Sequence, residues 1–231
     1  MLTTVNSLQV LYEDNHIILV NKRSSDIVQG DKTGDTPLSE VVKLWLKKKY
    51  NKPGNVFLGV VHRIDRPVSG VVLFAKTSKA LSRLSEAFRT KQVEKTYLAA
   101  VTSMPEKEES TLTDYLIRDH KKNKSRVTKS AKNGKLSKLK YRFVGASDNY
   151  FFLEVELETG RHHQIRVQLS SIGCPIKGDI KYGAPRTNKD ASIHLHAYKL
   201  QLIHPVTKEN IEIRAPLPND PVWNAVKNVL K

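Results

Sequence analysis

Cysteine is almost missing from this chain: Cys174 stands alone among 231 residues. A single thiol excludes an internal disulfide and any metal cage built on several cysteines. Long apolar runs are missing too. Stretches such as GVVLFA, ending at Ala75, fall far short of a bilayer-spanning helix. The opening MLTTVNSLQV lacks the basic-then-apolar order of a secretory signal, so a reducing cytoplasm is the expected compartment. Negative charge is scarce: 23 acidic side chains face 39 basic ones, for a net charge of +16. That excess fits a polyanionic partner, nucleic acid before an anionic membrane. Apolar residues are not scarce. At 39% they argue against wholesale disorder, and the length suits one large domain or two small ones.

The pattern along the chain predicts mixed elements. LQVLYEDNHIILVNK (8–22) reads as two strands with a turn at Glu13 to Asn15. Residues 36–51 read as a helix with Leu38, Val41, Val42, Trp45 and Leu46 on one face. NVFLGVVHRID and GVVLFAKT read as strands, and 78–91 as a helix. Residues 94–102 read as a strand, 141–159 as a hairpin, and 160–173 as a helix closed by Gly173. Strands at 192–205 and 210–216 precede a last helix near Pro221. No repeat and no clean linker interrupt the order. The expectation is one α+β domain over 1–231, with a largely antiparallel sheet flanked by helices.

Residues 118–142 differ in composition, with eleven Lys or Arg against one Asp. A solvated loop is the plain reading of such a run. Here it carries +10 of the total +16. An RNA- or DNA-facing arm that orders on binding is therefore expected, with Lys121, Lys122 and Lys124 on phosphates.

Charge is also packed into VHRIDRPVSG, between apolar flanks. His62, Arg63 and Arg66 crowd Asp65. Taken alone, Asp65 reads as a turn carboxylate paired with an arginine. Tyr97 alone reads as a strand residue, and Arg166 as a surface residue. The functional reading needs an ionised carboxylate at a strand end beside cations that attract a phosphodiester; such a group is a nucleophile.

HRIDRPVSG resembles the HRLDxxTSG signature of the RluA-type RNA pseudouridine synthases. Five more stretches agree in order: ILVNK, EKTYLAAV, ETGRHHQIRVQL, GCPIKGDIKYG and LHAYKLQLIHP. Together they span roughly residues 8–218. The resemblance implies that Asp65 attacks, at the ribose or at the base. Tyr97 would lie under the target uracil and take the carbon 5 proton, and Arg166 would pair with Asp65. It implies that Arg63 fills the stack vacated by a flipped uridine and that Leu200 walls the pocket. It places further RNA contacts at His62, Arg161, His163 and Gln164. The reaction breaks one glycosidic bond and makes another, so neither metal nor cofactor is expected.

Three residues depart from the family pattern: Arg23 after VNK, Val68 before SG, and Gln168 after QIRV. They are expected to alter the substrate-side loop and leave the trio intact. With no smaller module ahead of the motifs, RNA grip is expected from this domain, acting as a monomer. Ribosomal RNA is the first expected target and transfer RNA the second. The alternative is a catalytically silent RNA-binding or ribosome-assembly factor on the same fold. A glycosidase usually needs two carboxylates about a sugar, and only Asp65 lies in a convincing motif. Adjacent His162 and His163 lack the spacing of helical metal ligands.

Overall fold

In the computed structural model, residues 2–31 and 33–230 are described, and they form two compact units. The first comprises 1–93 and 197–216; the second comprises 94–196 and 217–231. Eleven strands and four α-helices occur among the described residues. All the strand pairings given below are antiparallel, as expected for an order of strands and helices without regular alternation.

In the first unit β1 (Val10–Glu13) pairs with β2 (Ile17–Lys22), and β2 with β4 (Ser69–Ala75). The short β3 (Gly59–Val60) pairs with the end of β4. Every residue of β4 is buried, which explains its unbroken apolar run. β10 (Leu195–Ile203), apart from its first two residues, lies beside β4 and pairs with β11 (Asn210–Arg214). Helix α1 (Leu38–Lys49) buries Leu38, Val41, Val42 and Leu46. Glu40 in its first turn and Lys47 to Lys49 in its last complement the helix dipole. Helix α2 (Ser78–Arg89) starts where Thr77 Oγ1 accepts from Ala80 N.

In the second unit the strand order is β5 (Glu94–Val101), β9 (Phe151–Leu157), β8 (Lys135–Ala146), β6 (Glu109–Asp119) and β7 (Lys124–Thr128). Helix α3 (Gln164–Ser171) packs on β6 and β7, and α4 (Pro221–Val229) on β8. Asp220 caps α4 by accepting from Val222 N and Trp223 N.

Two expectations are corrected here. Residues 118–142 are not a free arm. They form the end of β6, all of β7 and most of β8, tied by backbone ladders. Apolar alternation is weak in β6 because only Leu116 among its residues is buried, so a periodicity reading misses it. The helix expected from residue 160 starts only at Gln164, because His163 adopts a left-handed backbone with φ of 55°.

Gly70, in the VHRIDRPVSG stretch, has φ of +118°, and a Cβ there would lie 2.3 Å from the backbone oxygen of Ala197. Both the dihedral and the neighbouring strand demand glycine. Gly70→Ala is expected to cost about 3 kcal/mol or more of stability. Urea unfolding measures it, and an unchanged midpoint would remove the constraint.

Candidate active site

Asp65 sits on a turn built from the inside of the first unit. Lys22, the last residue of β2, is fully buried. Its Nζ donates to the carbonyls of Val68 at 2.7 Å, Arg23 at 2.8 Å and Arg66 at 3.1 Å. Three protons of an ammonium match three acceptors. Burial pushes the Lys22 amine down to about 7, while the carboxylates of Asp26 and Asp65 pull it back up. The turn is closed by Val68 N donating to Asp65 O at 3.1 Å. Arg66 reaches Asp35 at 2.7 Å, and Arg63 Nη1 donates to Gln29 Oε1 at 3.0 Å. His62 turns inward. Its Nε2 accepts from Leu73 N at 3.0 Å and its ring stacks on Phe88, so it fixes the turn's approach to β4. Leu200, on β10 of the same unit, is 1% exposed.

Arg166 belongs to the second unit, on α3. It is buried and makes a bidentate pair with Asp179: Nε to Oδ2 at 2.6 Å and Nη2 to Oδ1 at 2.8 Å. A fork-to-fork pair fixes the plane of the guanidinium as well as its position. Asp179 engages two of the five N–H donors of the guanidinium. The start of α3 is stapled by Gln164, whose Oε1 accepts from Thr159 Oγ1 at 2.8 Å and Arg161 N at 3.0 Å. Its Nε2 donates to Lys138 O at 3.2 Å, so this amide is spent inside the unit. His163 Nδ1 lies 2.9 Å from the hydroxyl of Tyr182. Burial and the Arg166 charge push the His163 imidazole down to about 2, so it stays neutral. Arg161 remains exposed, with Nε on Leu136 O.

Tyr97 lies on β5, 8% exposed, opposite Val155 of β9. Lys121, Lys122 and Lys124 are exposed at the β6–β7 turn. Thus His62, Arg63 and Asp65 share one irregular segment in the first unit, with Asp65 opening the turn. Arg161, His163, Gln164 and Arg166 share the entry and body of α3 in the second. Val68 and Gln168 are buried, so these departures act through packing. Gln168 Nε2 donates to Asp114 Oδ2 at 2.7 Å and ties α3 to β6. Sequence reasoning missed Lys22, Asp179 and Tyr182. All three lie in the quoted stretches ILVNK and GCPIKGDIKYG, where charge or a polar ring stands among core residues. Among the described residues no group of three His, Cys, Asp or Glu could hold a metal.

Lys22→Met would leave three carbonyls without a donor and is expected to cost about 3 kcal/mol or more. The variant also tests the titration. Between pH 7 and 10.5 the unfolded chain holds a proton at Lys22 that the folded chain has shed. Stability from this site therefore rises with pH across that window, by up to about 1.4 kcal/mol per unit. Unfolding at pH 7, 8, 9 and 10 should show a slope in the native chain that the variant lacks; equal slopes would refute it.

Residues 16–171 match the family model described as RNA pseudouridylate synthase. An RNA pseudouridine synthase of Bacillus subtilis is 32% identical over 217 residues, covering 92% of this chain and 70% of the relative. The ribosomal large subunit pseudouridine synthase C of Buchnera aphidicola is 34% identical, covering 92% of this chain and 68% of the relative. A solved human protein, RNA pseudouridylate synthase domain containing 4, shares the fold with a TM-score of 0.77 at 24% identity, over 91% of this chain and 89% of that one. With its six motifs in order on this fold, the chain belongs to the RNA pseudouridine synthase family and is an RNA-modifying isomerase.

Proposed function

We propose that this enzyme converts uridines of structured RNA to pseudouridine with Asp65 as the nucleophile, and that ribosomal RNA is its target before transfer RNA. The observation that carries the Asp65 role is the buried Lys22 amine, which fixes three carbonyls, two of them in the segment that follows the carboxylate. A nucleophile held by fixed backbone needs little reorganisation to attack. Ribosomal choice is supported by relatives named for the large ribosomal subunit. The whole chain acts as one catalytic domain, one copy at a time, in the cytoplasm.

In this reading the uridine is flipped from its helix and Arg63 takes its place. Attack by Asp65 leads to rupture of the bond from nitrogen 1 to the ribose. The uracil turns, carbon 5 bonds to the anomeric carbon, and the bond to Asp65 breaks, returning its carboxylate. Tyr97 accepts the proton lost from carbon 5, and nitrogen 1 ends protonated, so product and substrate have the same atoms. Arg166 is the cation that partners Asp65 and aims it. Leu200 supplies an apolar wall.

Asp65→Asn is nearly isosteric yet cannot act as an anionic nucleophile. Turnover is expected to fall on the order of ten-thousand-fold, with RNA binding within a few-fold. Release of tritium from 5-tritiated uridine in RNA reads the rate. Turnover above about a hundredth of wild type would remove Asp65 from the role. A silent binding factor would leave RNA unmodified with the native chain, and pseudouridine mapping with and without the gene decides that and names the target.

Replacing Lys121, Lys122 and Lys124 together with Ala tests the basic hairpin. The slope of log affinity against log salt should fall by roughly 0.7 for each lost single-strand phosphate contact. An unchanged slope would make the hairpin a solvated feature only.

A further inference from the structure

Tyr182 connects three things that the reaction needs held together. Its hydroxyl accepts from Ser125 N, in β7, at 2.7 Å and lies 2.9 Å from His163 Nδ1. Nδ1 of this neutral imidazole has room for one role. As a neutral ring it either accepts the tyrosine proton at Nδ1 or donates to the hydroxyl oxygen, and the contact holds in either tautomer. The ring of Tyr182 also faces the guanidinium of Arg166, whose carbon is 5.1 Å from the ring centroid. Lys124 Nζ is 5.1 Å from the same centroid.

A second strap runs alongside. Ser125 Oγ donates to His162 O at 2.8 Å, and Lys181 Nζ donates to Asn123 O at 3.2 Å. Leu116, Val167 and Tyr182 form one buried apolar cluster, with Val127 against it. The hairpin root is therefore clamped, while Lys121 and Lys122 at its tip are exposed. A phosphate drawn to the tip pulls on β7 beside Ser125. A phosphate that takes Lys124 changes the charge over the Tyr182 ring.

We infer that Tyr182 is a positioning residue that couples RNA seated on the β6–β7 hairpin to the orientation of Arg166. The inference rests on the reading above, in which Arg166 serves the reaction and the hairpin grips RNA. Tyr182 touches no reacting atom in it. Its hydroxyl fixes the hairpin and the left-handed entry to α3, and its ring carries the result to the guanidinium that Asp179 holds.

The test is a cycle on the full chain, with 5-tritiated total RNA from cells lacking the gene as the probe. Tyr182→Phe keeps the ring and removes the hydroxyl. It is expected to lower maximal tritium release about five- to ten-fold, the worth of a hydrogen bond, with half-saturating RNA changed less than about two-fold. In the native background, Lys121→Ala with Lys122→Ala should raise half-saturating RNA and also lower the maximal rate. In the Tyr182→Phe background the same pair should raise half-saturation alone. An equal loss of maximal rate in both backgrounds, or a wild-type rate in Tyr182→Phe, overturns the coupling. If Tyr182→Phe does not fold, Ser125→Ala, which releases the hairpin from His162, takes its place with the same expected pattern and the same overturning result. Arg166→Met is run beside them. Full activity there sinks the reading of Arg166 itself; an inactive Arg166→Met with additive lysine effects sinks only the coupling.

Discussion

A buried amine with three carbonyls around it is the constraint on which the first unit depends. Lys22 ends β2 inside the protein, where an unpaired charge would be prohibitive. What makes it tolerable is acceptor geometry: two of its three partners are backbone oxygens of the segment after Asp65. The amine thus replaces a ladder of backbone bonds that an irregular turn cannot make for itself. A strand end, a buried lysine and the Asp65 turn become one object. The all-buried β4 that follows, with its glycine against Ala197, is the wall on which that object is built.

The second unit solves the same problem by pairing opposite charges. Arg166 and Asp179 are both almost fully buried, and each is the other's counter-ion. Buried pairs are poor sources of net stability, but removing one partner strands the other at high cost. Their use here is geometric. The left-handed His163, a conformation that costs a non-glycine residue of order 1 kcal/mol or more, is held by its bond to Tyr182 and by the Gln164 staple. Strain at the entry to α3 is thereby confined to the turn that sets where Arg166 begins.

Most of the fold could be read from sequence because its strands and helices carry ordinary periodicity. β2, β4, β5 and β9 carry apolar runs that match their burial, and α1, α2 and α4 carry apolar faces that match theirs, whereas α3 buries Gln164, Arg166 and Gln168 among its apolar residues. β6 and β7 could not be read that way: their outer faces are solvated, and the lysines suggest a loop. Nothing local marks Lys22 as buried, since its burial is decided by a turn more than forty residues later. His163 looked helical, since no propensity marks a histidine for a left-handed backbone. The candidate site residues were named through motif resemblance. Their supports were not legible, because a hydrogen bond from Ser125 N to the Tyr182 hydroxyl joins positions that sequence spacing does not relate.

β7 ends the strand order of its unit, so one side of its backbone has no strand partner among the described residues. An open strand edge is a template on which a second chain can add. Lys124 and Arg126 project from β7 into solvent, with the buried Ser125 between them. Two such edges brought together would set like charges against each other at every approach. Lys124 and Arg126 therefore oppose pairing of this edge with a second copy of itself. Loss of nucleic acid and loss of hairpin charge should have opposite effects on colloidal behaviour, the first leaving the chains mutually repelled and the second leaving the edge unguarded.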